Sequence, residues 1–310
     1  MARMARKDIG EIRGIIARAK RLDVIFGVAG LLALGLGLLT FATLFVDMAL
    51  DGYSRLTPDF FTEFPSRHAE RAGILSAWVG TTLVMLVTAC VAVPLGVASG
   101  IYLEEYAPRN WVTDIIEINI ANLAGVPSII YGLLALGLFV YEFSLGQSIL
   151  TAGLTLALLI LPVVIVATRE AIRSIPSHIR EGAYALGATK WQVGQHHILP
   201  YSMGGIMTGV IIGMARAIGE TAPIITIGAL TFIAFLPASP VTGTFPFLSF
   251  EWLQSPFTVM PIQIFNWTSR PDPNFHANAA AAGFVLVLMT LTMNGLAIWL
   301  RYRIRRNIKW

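Results

Sequence analysis

The sequence has little charge. Asp, Glu, Lys and Arg make up 13% of its 310 residues, whereas hydrophobic residues make up 55%. Its mean hydropathy is +0.70. A soluble domain carries about 25% charged residues, and a disordered chain is poor in apolar residues, so both classes are excluded. The sequence therefore predicts a protein whose surface faces something other than water.

Residues that build disulfides, metal sites and catalytic sites are also scarce. Cys90 is the only cysteine, which excludes an internal disulfide and a cysteine zinc site. The pair His196–His197 has no third ligand in register, and the patterns His-Glu-x-x-His and Gly-x-Ser-x-Gly are missing. The phosphate-binding loop Gly-x-x-x-x-Gly-Lys-Ser/Thr is missing too, so no nucleotide site is predicted. No basic groove with interleaved aromatic residues indicates nucleic-acid binding.

The sequence has six long apolar runs instead. From Val24 to Val46 it contains no charged residue and no histidine, and a helix of that length crosses the roughly 30 Å hydrocarbon core of a bilayer. Barrel strands would be shorter and alternating, so each run is expected to be a helix. We predict an all-α membrane protein with six transmembrane helices, at about 24–47, 74–103, 118–141, 148–168, 203–235 and 277–300. Because the fifth run is long and contains Pro223, we expect it to kink, tilt or continue beyond the membrane.

Basic residues predict the orientation and the two domains. Most of the 22 Lys and Arg residues lie near the N-terminus, within 169–199 or in the C-terminal tail, whereas the opposite loops hold four arginines: Arg55, Arg67, Arg71 and Arg270. This bias places both termini and the loop 169–200 in the cytoplasm. Residues 1–23 are predicted to form a cytoplasmic amphipathic segment on membrane lipid, with isoleucines on one face and basic residues on the other. Residues 24–310 would form the transmembrane domain.

Two charges interrupt the fifth run. Arg216 and Glu220 are four residues apart and therefore share a face of the predicted helix. A charge at the bilayer centre costs at least about 2.5–3.5 kcal/mol on insertion scales, so such residues pair with each other or line a cavity. In one interpretation Arg216 draws an oxyanion along a pathway while Glu220 holds the guanidinium and keeps the anion from sticking. In the other, the two form a purely structural ion pair.

The third run contains a proline that predicts a bend. Pro127 has no N–H to donate, and Ser128 and Tyr131 place hydroxyls close to the break. The bend is interpreted either as a gate or as a kink that serves packing. The candidate residues of a substrate pathway are Arg216, Glu220, Thr221, Ser128 and Tyr131.

A polar segment, 181–200, separates the fourth and fifth runs. A membrane protein has little reason to carry such a block unless something outside the membrane binds it. Its spacing resembles the EAA loop of ABC-importer permeases, in which Glu-Ala-Ala is followed at fixed distances by Gly and Leu-Pro. The matching residues are Glu181, Ala183, Gly187, Leu199 and Pro200. Gly182 stands where alanine is usual and His197 where isoleucine is usual. The resemblance implies a short coupling helix that docks on an ATP-hydrolysing subunit.

Other segments resemble the PstA-type permease subunits of phosphate-specific ABC importers. They extend over about two thirds of the chain and are Phe61-Thr-Glu-Phe-Pro-Ser-Arg67 with Ala72-Gly-Ile74, Ala124-Gly-Val-Pro-Ser-Ile-Ile-Tyr-Gly132, Ala215-Arg-Ala-Ile-Gly-Glu-Thr-Ala-Pro223 and Gln263-Ile-Phe-Asn-Trp-Thr-Ser-Arg-Pro271. The resemblance implies a type I importer fold in the bacterial cytoplasmic (inner) membrane, with inorganic phosphate as the solute. In that family Arg216 and Glu220 match a charged pair.

The same resemblance implies partners. These are a PstC-like permease that completes a heterodimer, two copies of a PstB-like ATP-binding subunit, and a periplasmic PstS-like phosphate-binding protein. ATP and Mg would be used by the ATP-binding subunit, while this chain would be non-catalytic and bind no cofactor. Other hypotheses remain open at this point. The chain could serve another oxyanion or small solute, act as a membrane scaffold in phosphate sensing, or be a free-standing channel or secondary transporter, which leaves the EAA-like loop unexplained.

Overall fold

The structure, a computed structural model, describes residues 9–241 and 249–306, and within these ranges it contains helices and connecting loops but no strand. The twelve α-helices in this part of the chain are α1 (Ile9–Gly52), α2 (Pro58–Thr62), α3 (Leu75–Ile101), α4 (Trp111–Leu123), α5 (Ser128–Ala135), α6 (Ile149–Arg173), α7 (Ser177–Ala185), α8 (Lys190–Val193), α9 (Leu199–Gly219), α10 (Ala222–Thr226), α11 (Met260–Thr268) and α12 (Asn274–Arg306). Wider π-helical turns follow α3 and α5 and join α8 to α9; they are Tyr102–Tyr106, Leu136–Glu142 and Gly194–Ile198.

Six crossings account for the apolar runs. Five described helical stretches are long and apolar enough to span a bilayer; they are Gly14–Arg55, Leu75–Tyr106, Ile149–Arg173, Lys190–Gly219 and Asn274–Arg303. The sixth is a bent pair, Trp111–Leu123 with Ser128–Glu142, whose two halves meet at 106°. The prediction of an all-α membrane protein with six spans is confirmed, with the bent pair counted as one span.

The described residues up to Asp51 separate from the rest of the chain as a unit of their own. The sequence predicted an amphipathic segment over 1–23 and a first span from about residue 24, and α1, one helix of 44 residues, runs through the boundary between them. No proline occurs between Ile9 and Gly52, so nothing in the sequence breaks the helix at residue 23. Residues 1–8 of the predicted segment lie outside the described part of the chain. Of its isoleucines, Ile15 and Ile16 are exposed.

The second unit, residues 52–310, is built around α3, α6 and α9. Small residues let these helices approach closely. A side chain at Gly100 of α3 would meet Thr168 of α6 at 2.6 Å, and one at Gly205 of α9 would meet Ala171 at 2.5 Å. Gly209, one turn further along α9, faces Ala167 in the same way. The glycine stripe of α9 therefore packs against α6 of the same chain, as small residues do between membrane helices.

The third crossing bends where the sequence placed a proline. Helix α4 ends at Leu123, and α5 begins at Ser128, directly after Pro127. The residue before a proline is driven out of the helical region, and the proline ring removes a donor, so one straight helix cannot pass through this point. The break leaves α4 and α5 as two half-length helices that differ by 106° in direction.

The fifth predicted span is wrong at its far end. The sequence predicted helix from 203 to 235, but the helix runs from Lys190 to Gly219 and stops. Glu220 is extended, with φ −75° and ψ 126°, and only the five-residue α10 follows. Pro223 favours this break, because it has no N–H to bond the carbonyl of Gly219 and is well suited to the first turn of a new helix, although α3 and α6 continue through Pro94 and Pro162. The same long helix also takes up residues 190–200, which the sequence assigned to a loop.

The segments 48–73 and 236–276, which carry Arg55, Arg67, Arg71 and Arg270 of the loops opposite the termini, contain short helices and packed contacts in the described residues. Phe60, Trp267 and Phe275 form a buried aromatic cluster that joins α2, α11 and the start of α12. Arg55 donates from Nε to Asn278 Oδ1 at 2.6 Å and from a terminal nitrogen to the carbonyl of Ala72 at 3.0 Å. These contacts hold both segments to the same end of α12. Residues 242–248 lie outside the described part of the chain.

Candidate functional site

Arg216 and Glu220 form an ion pair at the end of α9. Arg216 Nε donates to Glu220 Oε1 at 3.1 Å. The sequence predicted that both residues lie on one continuous helix. In the structure α9 ends at Gly219, and Glu220 is the first residue beyond it. A basic side chain in the last turn of a helix is favoured by the helix dipole. The pair therefore stabilises the point where the helix stops.

The pair leaves most of the guanidinium uncommitted. The Arg216 side chain is 37% exposed and the Glu220 side chain 18% exposed. Only Nε of Arg216 makes a hydrogen bond among the described residues, so its two terminal nitrogens have no partner in that part of the chain. A guanidinium has five N–H donors in a fixed fork, and the terminal nitrogens can bind an oxyanion through two parallel hydrogen bonds. The geometry thus provides an anchored arginine with an open face.

Tyr131 lies in the same region. It is buried on α5, and its hydroxyl donates to the carbonyl of Leu123 at 2.8 Å. Helix α5 packs against α10, since Gly132 faces Thr226 and the backbone of Pro223. The bent third crossing and the broken end of the fifth crossing therefore meet at α10, which directly follows the Arg216–Glu220 pair.

Ser128 and Thr221 flank this region. Each is half-buried, and neither hydroxyl makes a hydrogen bond with the described residues. Glu220 also lines a narrow crevice with Thr81 of α3 and Val259. The five candidate pathway residues thus occupy two adjoining helix breaks, which the sequence could not place side by side.

The EAA-like segment folds as two short helices joined by a tight turn. Helix α7 ends at Ala185, Gly187 has a positive φ of 84°, and Thr189 caps α8 in a reciprocal arrangement with Gln192. A left-handed residue after a helix is typically glycine because any side chain adds strain there. Ala183 is buried in a cluster with Ile172, Ile175, Val193 and Ile198. The loop is therefore packed onto the end of α6.

The solvent-exposed face of this loop carries large apolar side chains. Leu186 is 91% exposed and Trp191 is 68% exposed, and Tyr184 is also exposed. Glu181 is exposed and has no ion pair with the described residues. Exposed large apolar residues rimmed by polar ones are typical of protein-binding surfaces. The sequence analysis did not identify Leu186 and Trp191. The available signal was that both are large apolar residues within a polar segment.

The predicted coupling residues separate into two groups. Glu181 and Gly187 lie on the outer face of the loop. Ala183 is buried, and Leu199 and Pro200 are half-buried in the first turn of α9, where proline is well tolerated. The second group therefore shapes the loop and joins it to the fifth crossing, and it does not form the exposed surface.

Comparison with known proteins was made after these observations. The family model described as "Binding-protein-dependent transport system inner membrane component" matches residues 92–310. The chain is 32% identical over 270 residues to the probable ABC transporter permease protein YqgI of Bacillus subtilis, covering 86% of this chain and 90% of that protein. It is 31% identical over 261 residues to the phosphate transport system permease protein PstA of Yersinia pestis, with 81% and 79% covered. It is 30% identical over 230 residues to PstA 1 of Mycobacterium tuberculosis, with 74% and 70% covered.

Proposed function

Because the chain belongs to the family of binding-protein-dependent transport system inner membrane components and is a PstA-type ABC-importer permease, we propose that it carries inorganic phosphate. It is a multi-pass membrane subunit, and its relatives are transport subunits. The family works with an ATPase and a substrate-binding protein. The partners that we propose are a PstC-like permease, two PstB-like ATP-binding subunits and a PstS-like binding protein. ATP and Mg act on the ATP-binding subunits, and both termini of this chain lie in the cytoplasm.

One observation carries the choice of an oxyanion. Arg216 is fixed through Nε by Glu220, while its terminal nitrogens have no partner among the described residues and its side chain is partly exposed. An anchored fork of this kind suits a tetrahedral oxyanion with several acceptor oxygens. Glu220 offsets part of the positive charge. A transport site must bind its solute well enough to admit it and weakly enough to release it, and a partly neutralised arginine meets both needs.

The other pathway candidates receive different roles. The hydroxyl of Tyr131 already donates its only proton to the carbonyl of Leu123, so we assign Tyr131 to holding the bend. The hydroxyls of Ser128 and Thr221 have no described partner and can donate to an oxyanion that reaches Arg216. Sulfate is the second candidate solute, because the open fork of Arg216 fits any tetrahedral oxyanion and the name of the Bacillus subtilis relative YqgI specifies no solute.

We assign the loop 177–198 to coupling. Its exposed apolar residues Leu186 and Trp191 supply the contact surface for the ATP-binding subunit, with Glu181 at the rim. Buried aromatic and aliphatic anchors carry most of the binding energy in protein interfaces. The cluster around Ala183 holds the loop on α6, so a displacement of the loop is passed to the transmembrane helices.

The deciding experiment is uptake of radiolabelled phosphate at micromolar concentration, in cells with and without the chain, in the presence of excess sulfate. We expect uptake to require the chain and to be indifferent to sulfate. Arg216→Ala should abolish uptake while the subunit still inserts and assembles, and Arg216→Lys should retain part of it. Inhibition by sulfate would favour a general oxyanion carrier. Unchanged uptake without the chain, with no other importer expressed, would contradict the proposal.

A further inference from the structure

Six charged residues come together where the coupling loop meets the transmembrane helices. They are Glu104, Glu105, Glu117, Arg169, Arg173 and Arg180. They come from four elements, namely the π-helical turn after α3, α4, the end of α6, and α7. We call these residues the ionic cluster. It lies outside both sets of residues that the sequence singled out.

The coupling loop is attached to this cluster through Arg180 of α7. Arg180 donates from Nε to Glu105 Oε1 at 3.0 Å, and a terminal nitrogen lies 2.8 Å from the same oxygen. Its terminal nitrogens also donate to the carbonyls of Ile172 at 3.0 Å and Ile175 at 3.3 Å. One side chain therefore joins α7 to the end of α6 and to the turn after α3.

The other four members join α6 to α4. Arg169 is only 6% exposed; it contacts Glu117 of α4 and lies 3.5 Å from Glu104. Arg173, one turn later on α6, lies 2.9 Å from Glu104 and 3.7 Å from Glu117. Each arginine thus faces both glutamates, at different distances. Glu117 of α4 can therefore exchange Arg169 for Arg173 while Arg169 pairs with Glu104. In that alternative pairing all four charges still have a partner.

Such an arrangement allows the charged residues to exchange partners and contributes little to the stability of the fold. Exposed ion pairs contribute little to folding, whereas a buried arginine that loses its partner is strongly unfavourable. When α6 and the coupling loop are displaced, Glu117 and the helix that carries it must follow Arg169 or exchange it for Arg173. Structural elements that have two discrete arrangements can couple distant sites.

The contacts continue from Glu117 to the candidate pathway. Helix α4 runs six residues from Glu117 to Leu123, about 9 Å at 1.5 Å per residue. The carbonyl of Leu123 accepts the hydrogen bond from Tyr131 of α5, and Gly132 of α5 packs against Pro223 and Thr226 of α10, which follows the Arg216–Glu220 pair. A chain of contacts through α4 and α5 therefore joins the coupling loop to the region of Arg216.

We propose that Glu117 and Arg169 are positioning residues that transmit displacement of the coupling loop to the bent helix pair α4–α5. This inference rests on the proposed coupling of the loop to an ATP-binding subunit, and it does not depend on the identity of the solute. It assigns the ionic cluster a role in timing the opening of the pathway.

The test measures movement of α4 directly in the assembled importer. Spin labels are placed at Ile118 of α4 and Ile212 of α9, both exposed, in a Cys90→Ser background. The distance between the labels is measured with and without a non-hydrolysable ATP analogue. The test variant is Glu117→Gln. Its matched control is Asp114→Asn, which removes the same charge one turn earlier on α4 from an exposed residue with no ion pair among the described residues.

We expect the analogue to shift the distance equally in the wild type and in Asp114→Asn, and by less than half as much in Glu117→Gln. A full change of the distance in Glu117→Gln would overturn the proposal. The proposal would also be overturned if the nucleotide analogue left the distance unchanged in the wild type. If Glu117→Gln fails to assemble, Arg169→Lys decides, since an ammonium cannot serve both glutamates as a planar fork does. A full shift in that variant contradicts the inference, and a reduced shift supports it. Phosphate uptake by the wild type, measured separately, tests the proposed function alone.

Discussion

The hydroxyl of Tyr131 donates a hydrogen bond of 2.8 Å to the carbonyl of Leu123, across the bend between α4 and α5. Leu123 is the last residue of α4, and the last carbonyls of a helix have no partner within the helix. Tyr131 therefore adds a second donor to this carbonyl, which also accepts from the N–H of Val126 at 3.1 Å. The bond connects the two halves of the third crossing at the point where they diverge by 106°.

We predict that Tyr131→Phe weakens this bend. The variant keeps the ring and removes one of the two donors to the Leu123 carbonyl, which retains the N–H of Val126, at a cost of about 0.5–1.5 kcal/mol. The thermal midpoint of the purified complex should fall by a few degrees, measured by thermal unfolding in detergent or nanodiscs. Tyr141→Phe is the control, because Tyr141 is exposed and its hydroxyl has no hydrogen bond with the described residues. Equal midpoints for the two variants would contradict the assignment.

A second prediction concerns Glu220→Gln. Removing the carboxylate leaves the charge of Arg216 uncompensated, so the oxyanion should bind more tightly and leave more slowly. A hydrogen bond to a charged group is worth about 1.5–3 kcal/mol, and we therefore expect KM to fall by about ten- to a hundredfold, with a lower maximal rate. Uptake kinetics in proteoliposomes measure both quantities. Glu251→Gln, at an exposed residue remote in sequence, is the control. A raised KM would show that Glu220 serves Arg216 only as a structural partner.

The docking surface of the loop gives a third prediction. Leu186→Asp places a charge at the most exposed apolar residue of the segment, so the ATP-binding subunit should no longer co-purify with the membrane subunits. Loss of an interface anchor costs about 2 kcal/mol or more, which is a roughly thirtyfold weaker complex. Leu186→Met keeps the surface apolar and should leave association unchanged. Retention of the ATP-binding subunit by Leu186→Asp would contradict the assignment.

Gly187 supports a fourth prediction, which separates backbone strain from contact with the partner. Its φ of 84° is unfavourable for most side chains by about 1–2 kcal/mol, yet an added Cβ would meet no atom within 4 Å. Gly187→Ala should therefore reduce ATP-driven uptake moderately, and Gly187→Asn, which tolerates this conformation, should reduce it less. Gly187→Arg adds bulk to the docking surface and should abolish uptake while insertion stays intact. Normal uptake by Gly187→Arg would argue against docking at this loop.

Hydropathy and proline placement predicted the fold because the bilayer permits few alternatives. A backbone that crosses hydrocarbon must satisfy its own polar groups, so an apolar run of sufficient length becomes a helix. The same reasoning failed beyond Gly219, where the sequence stays apolar but Pro223 ends the helix. Hydropathy measures how a segment partitions, and it does not report where a helix stops.

The candidate site was predictable only in part. Motif spacing identified the loop and the charged pair, since both are local in sequence. The choice between exposed and buried loop residues, such as Leu186 and Ala183, depends on how the loop packs on α6. The ionic cluster was out of reach, because Glu104 and Arg173 meet at 2.9 Å although 69 residues separate them. Contacts of this range follow from helix packing, which a single sequence does not specify.

The π-helical turn Gly194–Ile198 fixes the rotational phase between the coupling loop and the fifth crossing. A turn of this kind holds one residue more than an α-helical turn, and each residue of an α-helix rotates the chain by about 100°. With one residue fewer at this turn, α9 would present a different face to α6, and the Arg216 side chain would be rotated by about 100° around the helix axis. The exposed apolar face of the loop and the direction of the Arg216 side chain are therefore set relative to each other by the length of this short turn.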